Sequence, residues 1–117
     1  MRKIYHLKTC STCIRILKEV NADGSFDLQN IKEEKMTAAQ IEQMKDLAGS
    51  YEALFSRKAM KYRSLGLNEK ELSEADYKNY IIEEYTFLKR PVIILENEIF
   101  VGNSKKVVEA AIARLNE

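Results

Sequence analysis

The chain has 117 residues, 45% hydrophobic and 32% charged, with 19 basic and 18 acidic residues and a formal net charge of +1. That length is one domain by the usual prior and buries a core without metal or disulfide support, and a balance this even gives no electrostatic basis for binding nucleic acid or an anionic membrane. No apolar run approaches the roughly 20 residues of a membrane span, and the apolar stretch after Met1-Arg2-Lys3 is broken by His6, Lys8 and the cysteines, which is not a signal peptide, so a cytoplasmic protein is expected.

In chain order, residues 2–7 read as a first strand and residues 11–21 as a helix, with apolar positions at helical spacing from Ile14 to Val20. Ala22-Asp23-Gly24-Ser25 is a turn cluster. Phe26 to Ile31 alternates apolar and polar, the period of a half-buried strand, and strand–helix–strand order predicts a parallel pair. Thr37 and Gln40 have capping-box spacing and open a helix with Ile41, Met44 and Leu47 on one face, stopped by Gly49. Ser50 is placed to cap a short helix through Phe55, Asn68 and Glu71 repeat the cap spacing, and Ser73 heads a helix to about Tyr85. Arg63 in this stretch is expected to form a salt bridge. Arg90-Pro91-Val92-Ile93-Ile94-Leu95 is a third strand headed by the only proline, Glu96-Asn97 a tight turn, and Glu98 to Val101 a fourth strand, together an antiparallel hairpin. Asn103 is a candidate cap for a last helix lined by Val107, Val108, Ala111, Ile112 and Leu115.

The order β-α-β, helical stretch, β-β-α predicts an α/β fold. Its core is of thioredoxin or glutaredoxin type, with a mixed four-stranded sheet. We expect a single domain over 1–117, with the core in 1–36 and 89–117 and a helical insert over 37–88 between the second and third strands. In such a core the proline opening the third strand lies opposite the start of the first helix, so Pro91 is expected to be cis and to face Cys10.

Cys10-Ser11-Thr12-Cys13 falls between the first strand and the first helix, and a C-x-x-C so placed points to thiol redox chemistry. Helix N-termini carry free N–H groups and about half a positive charge. A thiolate there is stabilised and the cysteine's pKa falls below its free value of about 8.5. The thiolate is the attacking form. Cys10 is therefore the expected nucleophile, with Cys13, one turn on, able to resolve a mixed disulfide. Structural zinc takes four ligands, and two cysteines with one histidine supply at most three of the Cys and His type, so no metal is expected. A structural disulfide does not suit a reducing compartment. A pair of inert core cysteines is the remaining plain alternative.

Four stretches, taken together, resemble the glutaredoxin-coupled arsenate reductase family, which also contains the Spx-type regulators. They are Ile4-Tyr5-His6 ahead of Cys10; Leu54-Phe55-Ser56-Arg57 with Tyr62-Arg63-Ser64-Leu65-Gly66-Leu67; Arg90-Pro91-Val92-Ile93-Ile94; and Val101-Gly102 before the last helix. In that family one cysteine attacks arsenate and three arginines hold the oxyanion. The resemblance implies that Cys10 is the nucleophile and that Arg57 and Arg90 are two of the arginines. Val101 to Lys106 offers no third arginine, and Leu7-Lys8 stands where the family usually has asparagine–proline. Both departures favour general disulfide chemistry. Arginine's planar fork suits an oxyanion or a carboxylate and lowers a nearby thiol's pKa. His6 is a candidate to add positive charge or a hydrogen bond near the thiolate, against a plain structural role at a strand end. Free N–H groups after Gly102 are a candidate hold for the carboxylate of glutathione.

The expected function is a thiol–disulfide oxidoreductase, arsenate reductase-like, with Cys13 or glutathione resolving. No cofactor is expected to stay bound, and glutathione, glutaredoxin or a protein disulfide is the expected partner. The alternative is an Spx-like regulator that binds RNA polymerase and uses Cys10 and Cys13 as its redox switch, with no direct nucleic-acid contact.

Overall fold

The computed structural model describes residues 1–21 and 23–117. They form two compact units, Met1–Lys35 with Arg90–Glu117, and Met36–Lys89.

The first unit is built on β1 (Arg2–His6), α1 (Ser11–Val20), β2 (Asp27–Asn30), β3 (Val92–Leu95), β4 (Glu98–Val101) and α5 (Lys105–Leu115). The sheet order is β2-β1-β3-β4. β1 pairs parallel with β2, from Lys3 opposite Asp27 to His6 opposite Asn30, and antiparallel with β3, from Arg2 opposite Leu95 to Tyr5 opposite Val92. β3 pairs antiparallel with β4. β3 lies inside the sheet and all four of its residues are buried, which is why it reads as an unbroken apolar run rather than an alternation.

Side chains two apart on a strand share a face. Ile4, Ile93 and Phe100 occupy one cross-strand row, and the core cluster gathers Ile4, Ile93 and Leu95 from the sheet with Ile16 and Val20 from α1 and Val108 and Ala111 from α5. The apolar spacing of α1 and α5 is thus spent against this row. α1 ends at Asn21, whose side-chain oxygen accepts from the Phe26 N–H at 3.0 Å. In the expected turn over 22–25, Ala22 lies outside the described residues, and Gly24 has φ +70°. β2 is shorter than its alternation, starting at Asp27 rather than Phe26, because Phe26 is drawn into the core cluster. α5 is capped by Ser104, whose Oγ accepts from the Val107 N–H at 3.2 Å. Asn103 is therefore not the cap.

The second unit holds α2 (Ala38–Ala48), α3 (Met60–Ser64) and α4 (Glu74–Glu83), with short 3₁₀ turns at Glu52–Leu54, Leu67–Glu69 and Tyr85–Phe87. The expected capping box at Thr37 is present, and Ser73, expected as a cap, forms a second box with Asp76. Thr37 and Gln40 exchange side-chain and backbone bonds at 3.0 Å each, and Ser73 and Asp76 at 2.9 and 3.2 Å. Gly49 ends α2 at φ +98°. Ser50 Oγ accepts from the Ala53 N–H at 3.1 Å. Asn68 lies inside a 3₁₀ turn and caps nothing. The basic residue of α3 that finds an acidic partner is Lys61, with Glu84, and Arg63 is in none of the ion pairs seen among the described residues. Phe55 gathers an aromatic cluster, stacked on Phe87 at 5.0 Å and tilted on Tyr77 at 4.9 Å. The chain on either side is tied by Ser56 N–H to Phe87 O (2.6 Å) and Lys89 N–H to Leu54 O (2.8 Å).

Two substitutions test these packing statements by urea unfolding. Ser73→Ala removes the α4 cap and should cost about 1 kcal/mol. Tyr5 is fully buried and its hydroxyl has no hydrogen-bond partner among the described residues, so Tyr5→Phe should keep stability or raise it by about 1 kcal/mol. A clear loss in Tyr5→Phe would show that the hydroxyl is paired.

Candidate active site

β1 runs out at His6, and the chain turns through Leu7, Lys8 and Thr9, closed by a bond from the Cys10 N–H to the Leu7 carbonyl at 3.0 Å. The turn is also tied to the end of β2: the Asn30 side-chain oxygen accepts from the Lys8 N–H at 3.3 Å. Cys10 is the N-cap of α1. Its backbone is extended, its carbonyl accepts the Ile14 N–H at 3.0 Å, and its Sγ accepts the Cys13 N–H at 3.4 Å. The sulfur thus takes the place that a serine or aspartate oxygen usually holds at a helix start.

The antiparallel register that sets Val92 beside Tyr5 carries the preceding residues, Pro91 and Arg90, on toward the end of β1 and the turn that bears Cys10. The Arg90–Pro91 bond is cis, as expected for the proline. Gly102, at φ +94°, sends its N–H to the Pro91 carbonyl at 2.9 Å and so continues the β3–β4 ladder past the proline. A positive φ there favours a residue without Cβ.

The electrostatics of the two thiols diverge. Partial burial pushes the Cys10 thiol up, but the Cys13 amide and thiol, the Arg90 guanidinium and the Thr12 amide together bring it below its ordinary value. Cys13 is fully buried, and that burial, with the neighbouring Cys10, pushes its pKa up to about 11. Both cysteines are free thiols. One is thus set to ionise more readily than an ordinary thiol and the other to keep its proton, the division of labour that separates an attacking thiol from a waiting one.

His6 is buried, and its Nδ1 has no hydrogen-bond partner among the described residues. Burial first, then the nearby Lys8, lower its pKa, with Glu33 opposing. A lowered histidine pKa favours the neutral ring at pH 7, which leaves a hydrogen bond, rather than a positive charge, as the candidate role of His6 beside the thiolate. Arg57 lies in the second unit, where its Nη2 donates to Glu52 Oε2 at 2.7 Å and to the Tyr77 hydroxyl at 3.0 Å. Asn30, Thr12 and Glu52 were not legible as site neighbours. Asn30 and Thr12 act through a side-chain carbonyl and a backbone amide that no motif marks, and Glu52 precedes Arg57 by five residues, outside any helical pairing distance. Among the described residues no group of three or more His, Cys, Asp and Glu side chains could hold a metal ion, and no helix is long and apolar enough to cross a membrane.

A mixed four-stranded sheet with a C-x-x-C opening its first helix and a cis proline leading its third strand is a thioredoxin-like fold. The ArsC family model matches residues 5–111, and the chain belongs to the ArsC family. No curated protein matches it by sequence. Among solved structures, it is similar to an arsenate reductase from Vibrio cholerae, at 17% identity and a TM-score of 0.78, over 96% of this chain and 95% of that one. It is also similar to a possible arsenate reductase from Streptococcus mutans, at 27% identity and 0.72, over 90% and 92%. A protein from Staphylococcus aureus matches at 24% identity and 0.76, over 94% and 97%.

The thiol assignment predicts a pH profile. An acid whose pKa is depressed is ionised from a lower pH, so alkylation of Cys10 by iodoacetamide should reach half its maximal rate below about pH 8.5, the midpoint for a free thiol. Arg90→Gln removes one cause of the depression and should move that midpoint upward. Mass spectrometry should find Cys13 unmodified until the protein is unfolded, and equal labelling of both cysteines in the folded state would contradict the assignment.

Proposed function

We propose that the protein is a thiol-dependent reductase in which Cys10 is the nucleophile. The observation that carries this reading is the Cys10 sulfur at the N-cap of α1, accepting the Cys13 N–H and lying in the field of Arg90. The Cys10 thiolate attacks one sulfur of a disulfide, the S–S bond breaks, and the other sulfur leaves as a thiolate that takes a proton from water. A second thiol then attacks the Cys10 sulfur and releases the reduced product. Cys13 or glutathione serves as that thiol. The Cys10–Cys13 or Cys10–glutathione disulfide left behind is restored by two electrons from an external dithiol such as glutaredoxin. With arsenate in place of the disulfide, the thiolate forms an S–As bond as an oxygen leaves as water. The second thiol takes Cys10 as a disulfide while As(V) is reduced to As(III).

Cys13 can wait protonated without blocking the second step. Its raised pKa comes from burial and also from the neighbouring Cys10. Once Cys10 is in a mixed disulfide its negative charge is gone, and with it that part of the opposition to ionising Cys13. Arg90 stabilises the thiolate, Arg57 and Arg90 are the candidates to hold an anionic group, Pro91 frames the nucleophile, and His6 contributes as a neutral ring. The reductase is preferred to a redox-switched regulator of RNA polymerase because the solved relatives above that are named for an activity are named as arsenate reductases. A reducing cytoplasm is the compartment in which free thiols of this kind persist.

The test is reduction of a mixed disulfide and of arsenate measured side by side, with glutathione, with and without glutaredoxin. Cys10→Ser should lower both activities by about a thousandfold or more. Retention of activity in that variant would end the proposal. Cys13→Ser separates the two resolving thiols: activity within about tenfold of wild type assigns the step to glutathione, and loss as deep as that of Cys10→Ser assigns it to Cys13.

A further inference from the structure

The end of β2 holds a polar side chain that the proposed chemistry leaves without a part. Asn30 stands opposite His6, the last pair of the parallel β1–β2 register. Parallel strands leave a sheet at the same edge, so the turns that follow, residues 7–9 and 31–34, start side by side. The Ile31 N–H bonds the His6 carbonyl at 2.9 Å, and the Asn30 carbonyl accepts from the Glu33 and Glu34 N–H groups at 3.1 and 2.8 Å. Asn30 is thus fixed from its backbone. Its side-chain oxygen accepts from the Lys8 N–H at 3.3 Å and from the Lys32 N–H at 3.4 Å, and a carbonyl oxygen has a lone pair for each.

The bond to Lys8 falls in the turn that carries the nucleophile. The Leu7 carbonyl accepts the Cys10 N–H at 3.0 Å, and the Cys10 Sγ accepts the Cys13 N–H at 3.4 Å. The shape of the turn therefore sets where the sulfur stands. β1 holds the start of the turn, α1 its end, and the Asn30 side chain its middle. An aspartate could accept the same two N–H groups, but it would bring a negative charge to the turn of a thiolate and oppose its ionisation. An apolar side chain accepts neither. Asparagine supplies the acceptor without the charge.

We propose that Asn30 is a positioning residue for the nucleophile, holding the 7–9 turn so that the Cys10 sulfur stays on the Cys13 amide. This rests on the reductase reading and adds to it the residue that fixes the attacking group.

The experiment measures iodoacetamide alkylation against pH, and turnover of hydroxyethyl disulfide with glutathione, for wild type, Asn30→Ala and Asn30→Ser. The charged group acting on Cys10 is Arg90 and the titratable one is Cys13. Neither substitution changes them, so a moved midpoint reports position rather than charge. Asn30→Ala should raise the alkylation midpoint by about half a pH unit and lower kcat about threefold to tenfold, with KM within about twofold of wild type. Asn30→Ser restores a local bond to the Lys32 N–H but is too short for Lys8. It should recover urea stability and not the midpoint. In a further protein the Lys8 N–H is itself replaced by an ester oxygen, by joining a synthetic thioester of residues 1–9 to residues 10–117 at the native Cys10. That ester should raise the midpoint in wild type and raise it less in either Asn30 variant. A wild-type midpoint and kcat in a folded Asn30→Ala or Asn30→Ser, with only urea stability reduced, overturns the inference. So does an ester shift of the same size with and without Asn30. No turnover of hydroxyethyl disulfide by wild type would sink the reductase reading, while the alkylation midpoints still decide this one.

Discussion

The first unit depends on one contact, the Cys13 N–H pointing at the Cys10 sulfur. A helix start must satisfy its free amides, and a side chain at the N-cap is the usual means. Here the capping atom is a thiol sulfur, so the same geometry that starts α1 stabilises the charged form of the nucleophile. Structure and reactivity therefore draw on one interaction. Arg90 adds to it from the opposite side of the sheet order, through β3, and the Asn30 side chain steadies the turn from β2. Three strands thus converge on one sulfur, and the core row Ile4–Ile93–Phe100 holds them in register beneath it.

The two thiols of the C-x-x-C differ by their surroundings, not by their chemistry. Cys10 is part-exposed and Cys13 fully buried. Burial acts on both in the same direction, against ionisation. It prevails at Cys13, where few donors oppose it, and is overcome at Cys10, where two amides, a thiol and a guanidinium do so. The same reasoning bears on His6. Its burial and Lys8 outweigh Glu33 and lower its pKa, which disfavours the charged ring.

The second unit applies ordinary helix rules closely. Thr37–Gln40 and the cap at Ser73 were readable because each is a local arrangement within one helix turn. Where the same spacing failed, at Asn68, a 3₁₀ turn after Gly66 in the left-handed region had already set the backbone. At α5 the cap is Ser104 rather than Asn103, because it is the Ser104 Oγ that accepts the Val107 N–H. The pairing of Arg57 with Glu52 and Tyr77 belongs to neither class, since Tyr77 lies 20 residues away in the chain and is brought to Arg57 by the packing of α4, where its ring also meets Phe55.

The amino-acid sequence by itself determined the element order, the buried third strand, the caps of α2 and α4, and the C-x-x-C at the opening of the first helix. Each of these is written in spacing over a few neighbouring residues: period two, period 3.6, or a cap and its partner. The tertiary structure decided which charges act on which thiol, that burial disfavours a charged His6, that Asn30 holds the nucleophile's turn, and that Arg57 already carries a carboxylate. Those outcomes depend on burial and on distances between residues far apart in the chain, and electrostatic effects follow distance and desolvation rather than sequence order.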